Sequence, residues 1–184
     1  MKYHARWQEL EDYDFATQPF LKGARLNYHI ADIEDPGVPK KKVEVPELSM
    51  EYLEKIMQLC EENGAEFVMI TIPYGIEKDM KRYRNRQGMT LYLEEYLEEK
   101  GTPFLFYQKD YPELIDFKTD FRDRTHLNTP GAVKLTNHLG EWLVSQYDLV
   151  DHRGDTAFAS WDADLALYDR ACQQAQEDSD DNTT

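Results

Sequence analysis

An aspartate and a histidine three residues apart are the residues of this chain whose types and spacing could do chemistry. Asp123 and His126 lie in a segment that is followed at once by Thr129, Pro130 and Gly131 and then by an amphipathic pattern. A carboxylate at this spacing can accept one ring N–H of the imidazole and leave the other ring nitrogen as a base. The pair therefore predicts a general base of the kind that activates a hydroxyl nucleophile.

Two other interpretations of the same segment stay open. His126 could cap the following helix or bond a nearby carbonyl, and neither role involves a reaction. Asp120, Asp123 and His126 could also supply three ligands to a metal ion. However, a loop has no fixed periodicity that would bring these side chains together, and no second cluster accompanies them. We therefore predict no metal and no cofactor.

The nucleophile that would complete such a pair is missing from the sequence pattern. Ser49 and Ser160 read as helix caps, Ser145 ends a predicted helix and Ser179 lies in the tail. None of them follows a strand on a tight turn between small neighbours, where a hydroxyl becomes exposed and activated. Cys60 falls on the apolar face of a predicted helix, so its thiol is expected to be buried and inert. The sequence thus predicts half of an active site.

The elements that must position the pair alternate between helix and strand. Apolar spacing predicts helices over 49–63, over 89–100 and from Thr129, and a final helix from Ser160. Continuous apolar runs over 67–72 and 103–107 suit strands buried on both faces of a parallel sheet. This alternation predicts an α/β fold with parallel strands.

Ligands of such sheets gather beyond the carboxyl ends of the strands. Pro73, Tyr74 and Gly75 leave the first predicted strand at that edge, and the long loop that ends at His126 leaves the second. We therefore expect these two segments to converge. Tyr74 and Asn128 are the predicted substrate-binding residues, although a Pro-Tyr-Gly segment is also an adequate simple turn.

Composition limits the class of partner. The 184 residues carry 36 acidic and 21 Lys or Arg side chains, so the formal net charge is -15. Such a surface repels nucleic-acid phosphates, and no apolar run has the length of a membrane span. We predict an irregular, aromatic-rich lead-in over 1–46, an α/β domain over 47–176, and a disordered acidic tail over 177–184.

The block from Asp123 to Ala132, continued by the segment Leu139–Leu143, resembles the last conserved block of SGNH/GDSL hydrolase-like proteins. The likeness is greatest to those of Gram-positive gut bacteria. The segments Tyr3–Leu10, Thr71–Tyr74 and Asp151–Asp155 also look like that group. The resemblance thus covers nearly the whole chain apart from the tail.

This resemblance implies a three-layer α/β/α parallel-sheet (flavodoxin-like) fold, incomplete at the N-terminus. It also implies hydrolysis or transfer of acyl esters, on carbohydrate or cell-envelope substrates. His126 would be the base and Asp123 would orient it. The family's serine lies in a Gly-Asp-Ser-like turn after the first strand, and this sequence has no such turn.

We therefore expect the chain to be the C-terminal, base-bearing part of such an enzyme, inactive alone and completed by the N-terminal half of the same protein. Relatives of this kind look membrane-anchored and extracytoplasmic, and the localisation of this chain is left open. The alternative is a non-catalytic module with a degenerate SGNH fold. It would contact a glycan or a protein partner through Tyr74, Trp7 and Trp161.

Overall fold

A computed structural model of the protein describes residues 19–76 and 83–181. Its helices are α1 (Glu47–Glu62), α2 (Tyr83–Glu99), α3 (Tyr107–Asp110), α4 (Thr129–Gln146) and α5 (Ala159–Asp181). Its strands are β1 (Met69–Thr71), β2 (Phe104–Phe106), β3 (Phe121–Asp123) and β4 (His126–Leu127). The chain divides into two compact units. One is Ile30–Asn137, and the other combines Met1–His29 with His138–Thr184.

A strand–helix–strand unit organises the segment Ile30–Asn137. Strands β1 and β2 pair in parallel, with Ile70 opposite Leu105, and α2 forms the crossover between them. Gly64 and Gly101 end α1 and α2 with positive φ angles of 66° each, a conformation that glycine adopts without strain. The predicted helix–strand alternation and the α/β class are thereby confirmed.

The sheets are smaller than the sequence indicates. Within the described ranges, β1 and β2 form one two-stranded sheet, and β3 and β4 form another that is antiparallel. Strand β1 is half-buried rather than fully buried, and the side chain of Ile72 just after it is 53% exposed. The three-layer arrangement therefore stays a prediction.

Buried apolar side chains gather where α2, β2 and α3 meet. Leu97 and Tyr107 are fully buried, and Leu105 and Phe106 are nearly so. Phe121 of β3 is also fully buried and stacks on Phe117, with ring centroids 5.0 Å apart. This core fixes the root of the β3–β4 hairpin, because the first residue of β3 cannot move without breaking its packing.

The other unit is built on α5. A 3-10 turn at Pro19–Leu21 contacts this helix, and Lys22 forms an ion pair with Asp164 while lying over the ring of Trp161. Burial and the thiol of Cys172 raise the pKa of Tyr28 to about 12.

Several boundaries differ from the predicted ones. Ser49 lies inside α1, which begins at Glu47, and Ser160 lies inside α5. The cap ahead of α5 is Asp155, whose carboxylate accepts the Ala157 N–H at the start of a 3-10 turn. The prediction of a disordered tail from residue 177 is wrong for 177–181, which are helical. Gln174 there donates to Asp178 one turn on, and such pairs let a helix continue through polar sequence.

The structure describes the predicted lead-in from residue 19 onward, and its assignment as a separate region stays a prediction. Residues 22–46 carry only an isolated bridge between Glu34 and Ile76. The aromatic residues before position 19, including Trp7, lie outside the described residues. Among those described, no helix is both long and apolar enough to cross a membrane.

Candidate active site

A tight β-hairpin places the aspartate and the histidine side by side. Asp123 ends β3, His126 begins β4, and these two residues are direct partners in the antiparallel ladder. Only Arg124 and Thr125 lie between them, in the turn. The long loop predicted to end at His126 therefore contains a hairpin with a two-residue turn, whose geometry fixes the separation of the two side chains.

The imidazole of His126 is held by the carboxylate of Asp123. Its Nδ1 lies 2.9 Å from Oδ1 and 2.9 Å from Oδ2. The same Oδ1 accepts the backbone N–H groups of Thr125 and His126, at 2.8 and 3.0 Å, and the Thr125 hydroxyl at 3.0 Å. The backbone of the turn therefore holds the Asp123 carboxylate in place independently of its contact with the ring.

These hydrogen bonds keep Asp123 charged. Burial pushes the pKa of Asp123 upward, but the bonds from the Thr125 N–H, from His126 and from the Thr125 hydroxyl outweigh burial. They hold this pKa at about 2, below the ordinary 3.8. A carboxylate that stays ionised favours a proton on the Nδ1 that faces it.

The opposite edge of the ring is accessible. The His126 side chain is 58% exposed, and no described residue forms a hydrogen bond with its Nε2. A neutral ring with its proton on Nδ1 presents the lone pair of Nε2 outward. The arrangement can therefore remove a proton from a hydroxyl that approaches from solvent or from another polypeptide segment.

The two segments expected to converge do so. The Gly75 N–H donates to the carbonyl of Arg124 at 2.8 Å, which brings the Pro73–Tyr74–Gly75 segment against the hairpin turn. Gly75 is also packed on Ile33, with no room for a side chain there. Tyr74 is half-buried next to this contact, so its assignment to substrate binding stays a prediction.

Asn128 anchors the hairpin to α4. Its side chain is 2% exposed; its amide donates to the carbonyl of Thr119 at 2.7 Å and its Oδ1 accepts the Gly131 N–H at 3.0 Å. Asn128 is thus the N-cap of α4, which begins at Thr129. A ligand would have to displace these bonds to reach the Asn128 side chain, and its assignment to substrate binding also stays a prediction.

The carboxylate of Asp120, at the base of the hairpin, forms an ion pair with Lys134 of α4. It is 1% exposed, and its oxygens lie 2.8 and 2.7 Å from the ammonium of Lys134. Its Oδ2 also accepts the Asp116 N–H at 2.8 Å. Its carboxylate is therefore engaged away from the hairpin, and the described residues hold no group of three His, Cys, Asp or Glu side chains that could bind a metal.

No serine or cysteine of the described ranges is hydrogen-bonded to His126. Ser145 donates to the carbonyl of Trp142 within α4, and Ser49 and Ser160 lie in helices. Cys60 is half-buried in α1, and Cys172 lies in α5. In the described part of the chain, the paired His126 and Asp123 thus have no serine or cysteine hydrogen-bonded to the ring.

Sequence reasoning missed two contributors. Thr125 bonds Asp123 through both its backbone and its hydroxyl, and Lys134 neutralises Asp120. The signal for the Thr125 backbone contact was available, since an aspartate often accepts the backbone N–H two residues on in an Asx turn. The Lys134 contact spans fourteen positions and has no local signature.

A family model for uncharacterised proteins matches residues 38–148. This range is more than half of the chain and includes the hairpin, so the chain belongs to that family. No curated protein and no solved structure matches the chain.

Proposed function

We propose that this member of the uncharacterised family carries the general-base dyad of an SGNH-like esterase or acyltransferase, with His126 as the base and Asp123 as its orienting carboxylate. One observation carries the proposal: both oxygens of Asp123 lie 2.9 Å from Nδ1, while the His126 side chain as a whole is 58% exposed. A histidine with a purely structural role has no need of an accessible Nε2.

The fold and the sequence resemblance support the same class. Parallel strand–helix–strand units such as β1–α2–β2 are the building blocks of three-layer α/β/α folds. The proposal includes the complete three-layer SGNH arrangement. The substrate class follows from the resemblance: an acyl ester, on a carbohydrate or another cell-envelope molecule. The hairpin itself selects no particular acyl group.

The reaction proceeds by proton transfer at Nε2. His126 accepts the proton of a serine hydroxyl, and the serine oxygen attacks the ester carbonyl. His126 then gives that proton to the departing alkoxide, which leaves an acyl-serine. Water or a sugar hydroxyl, deprotonated by Nε2, next attacks the acyl group, and His126 returns that proton to the serine oxygen as the acyl–serine bond breaks. The serine comes from another polypeptide segment, so the chain by itself is expected to be inactive.

The geometric half of the proposal can be tested by nitrogen NMR of the imidazole at mildly alkaline pH. We expect the neutral His126 ring to carry its proton on Nδ1, and we expect Asp123→Ala to move that proton to Nε2. The control is Asp155→Ala, because His152 Nδ1 lies 3.7 Å from the Asp155 carboxylate, beyond hydrogen-bond distance. If the unchanged protein carries the His126 proton on Nε2, the proposal that Asp123 orients His126 as a base is wrong.

The catalytic half can be tested with a fluorophosphonate, which labels activated serines. The tagged protein is purified from cells that make it naturally, together with any bound polypeptide, and is then labelled. We expect a labelled serine whose reaction rate falls by about 10²–10⁴-fold in His126→Ala and is unchanged in His152→Ala. Labelling that is equal in the two variants, or no labelled serine at all, would refute an acyl-transfer role.

A second candidate has one observation in its favour. The Trp161 side chain is 59% exposed, with the Lys22 ammonium 5.0 Å from its ring centroid. An exposed indole beside a cation suits stacking against a sugar, as the non-catalytic glycan-binding module requires. Glycan binding that is lost in Trp161→Ala, together with an absence of serine labelling, would favour this module over the enzyme.

A further inference from the structure

Helix α1 presents an apolar stripe to solvent. Leu48, Tyr52, Ile56 and Leu59 are 64%, 58%, 50% and 60% exposed, and the helix has no fully buried residue. We call these four residues the α1 stripe. A contiguous apolar surface of this kind on a helix is a feature of docking sites, whereas single exposed apolar residues are ordinary.

The stripe is separate from the face that α1 turns towards its own unit. The spacing of four, four and three residues places its members on one side of the helix. Met50, Leu53, Met57 and Cys60 form the neighbouring half-buried side. The apolar arc of α1 is thus wider than the side that packs within Ile30–Asn137, and the apolar residues outside that side are exposed to solvent.

The charged residues of α1 indicate the charge of the partner that the α1 stripe could bind. Helix α1 carries five glutamates and one lysine, and that lysine, Lys55, pairs with Glu51 and lies over the ring of Tyr52. A second copy of this chain would bring its own glutamates against these and would add to a net charge of -15. A helix with apolar and basic side chains meets both the stripe and its acidic border.

We propose that the α1 stripe is a docking site for a basic amphipathic helix of another polypeptide. Apolar side chains of the partner cover Tyr52, Ile56 and Leu59, and its Lys or Arg side chains meet the glutamates beside them. This interaction is independent of the His126 dyad, and it holds or fails without reference to ester chemistry.

The test uses synthetic helices as probes. A helix with a leucine face and lysines on its remaining positions is titrated against the full chain, and binding is followed by fluorescence anisotropy. We expect binding by this probe, and none by the same leucine face with glutamates or by a lysine peptide without leucine. The double variant Ile56→Glu, Leu59→Glu should weaken binding about tenfold or more.

The matched control is Val133→Glu on α4, another exposed apolar position, 42% exposed. Each glutamate makes the chain more acidic, so electrostatic attraction alone would tighten binding to the lysine helix in all variants. Weakening only in the α1 variant therefore identifies the stripe. Equal affinities in all variants would overturn the proposal. So would self-association of the unchanged chain that the α1 variant abolishes, because the occupant would then be a second copy.

Discussion

Replacement by alanine is expected to have opposite effects on stability at two glycines of α4, Gly131 and Gly140. Replacing a helical glycine with alanine ordinarily stabilises a protein by about 0.5–1 kcal/mol, because alanine loses less backbone entropy on folding. An added Cβ at Gly140 meets nothing within 4 Å. At Gly131 it would meet the Asp120 backbone carbonyl and would lie 2.8 Å from the Asp120 Cβ. Gly140→Ala should therefore stabilise, and Gly131→Ala should not.

The cost at Gly131 follows from what surrounds it. Asp120 is buried and tied to Lys134, and its carbonyl accepts the Asn128 N–H at 2.9 Å, so backbone rather than a flexible side chain must move. Overpacking of this kind costs about 1–3 kcal/mol, which exceeds the helical gain. We expect a net loss of roughly 1–2 kcal/mol for Gly131→Ala and thus a difference of about 1.5–3 kcal/mol from Gly140→Ala.

Urea unfolding followed by circular dichroism measures both free energies of unfolding, with equal slopes required for the comparison. The same shift of Asp120 and Asn128 should disturb the hairpin, so the Nδ1–H signal of His126 should weaken in Gly131→Ala and stay unchanged in Gly140→Ala. If Gly131→Ala is as stable as the unchanged protein, the close approach of α4 to Asp120 is wrong, and with it the anchoring of the hairpin.

Two further predictions concern charge. Because the pKa of Asp123 is about 2 in the folded chain and near 3.8 otherwise, its stabilising effect is complete above pH 3.8 and is lost as pH falls towards 2. Asp123→Asn should therefore be less stable than the unchanged chain at neutral pH, and the gap between their urea midpoints should close in acid; a constant gap would contradict this. Lys134→Met should destabilise the chain by roughly 1–3 kcal/mol, because it removes the cation that pairs with the almost fully buried Asp120 carboxylate. In a double-mutant cycle, the double variant Asp120→Asn, Lys134→Met should recover part of that loss. Additive losses would show that the pair does not interact.

Local signals predicted the elements well. The Gly64 and Gly101 stops, the apolar runs of β1 and β2 and the Thr129–Pro130 helix start all depend on a few neighbouring residues, and all of them are present. The Asp123–His126 contact was predictable for the same reason, since it is closed by its own turn.

Long-range partners were beyond such signals. Nothing near Asn128 shows that the carbonyl of Thr119, nine residues earlier, would accept from its side-chain amide. The sheet is smaller than expected because strand length depends on neighbours across the sheet, which the apolar run at 67–72 cannot specify.

The brevity of the Asp123–His126 turn has a consequence for how such a pair persists. A contact closed by two intervening residues requires little loop entropy, so it re-forms early whenever the chain refolds and asks little of distant sequence. The four residues Asp123 to His126 therefore form the contact locally, while buried Phe121 and Asn128 on either side hold the hairpin in place.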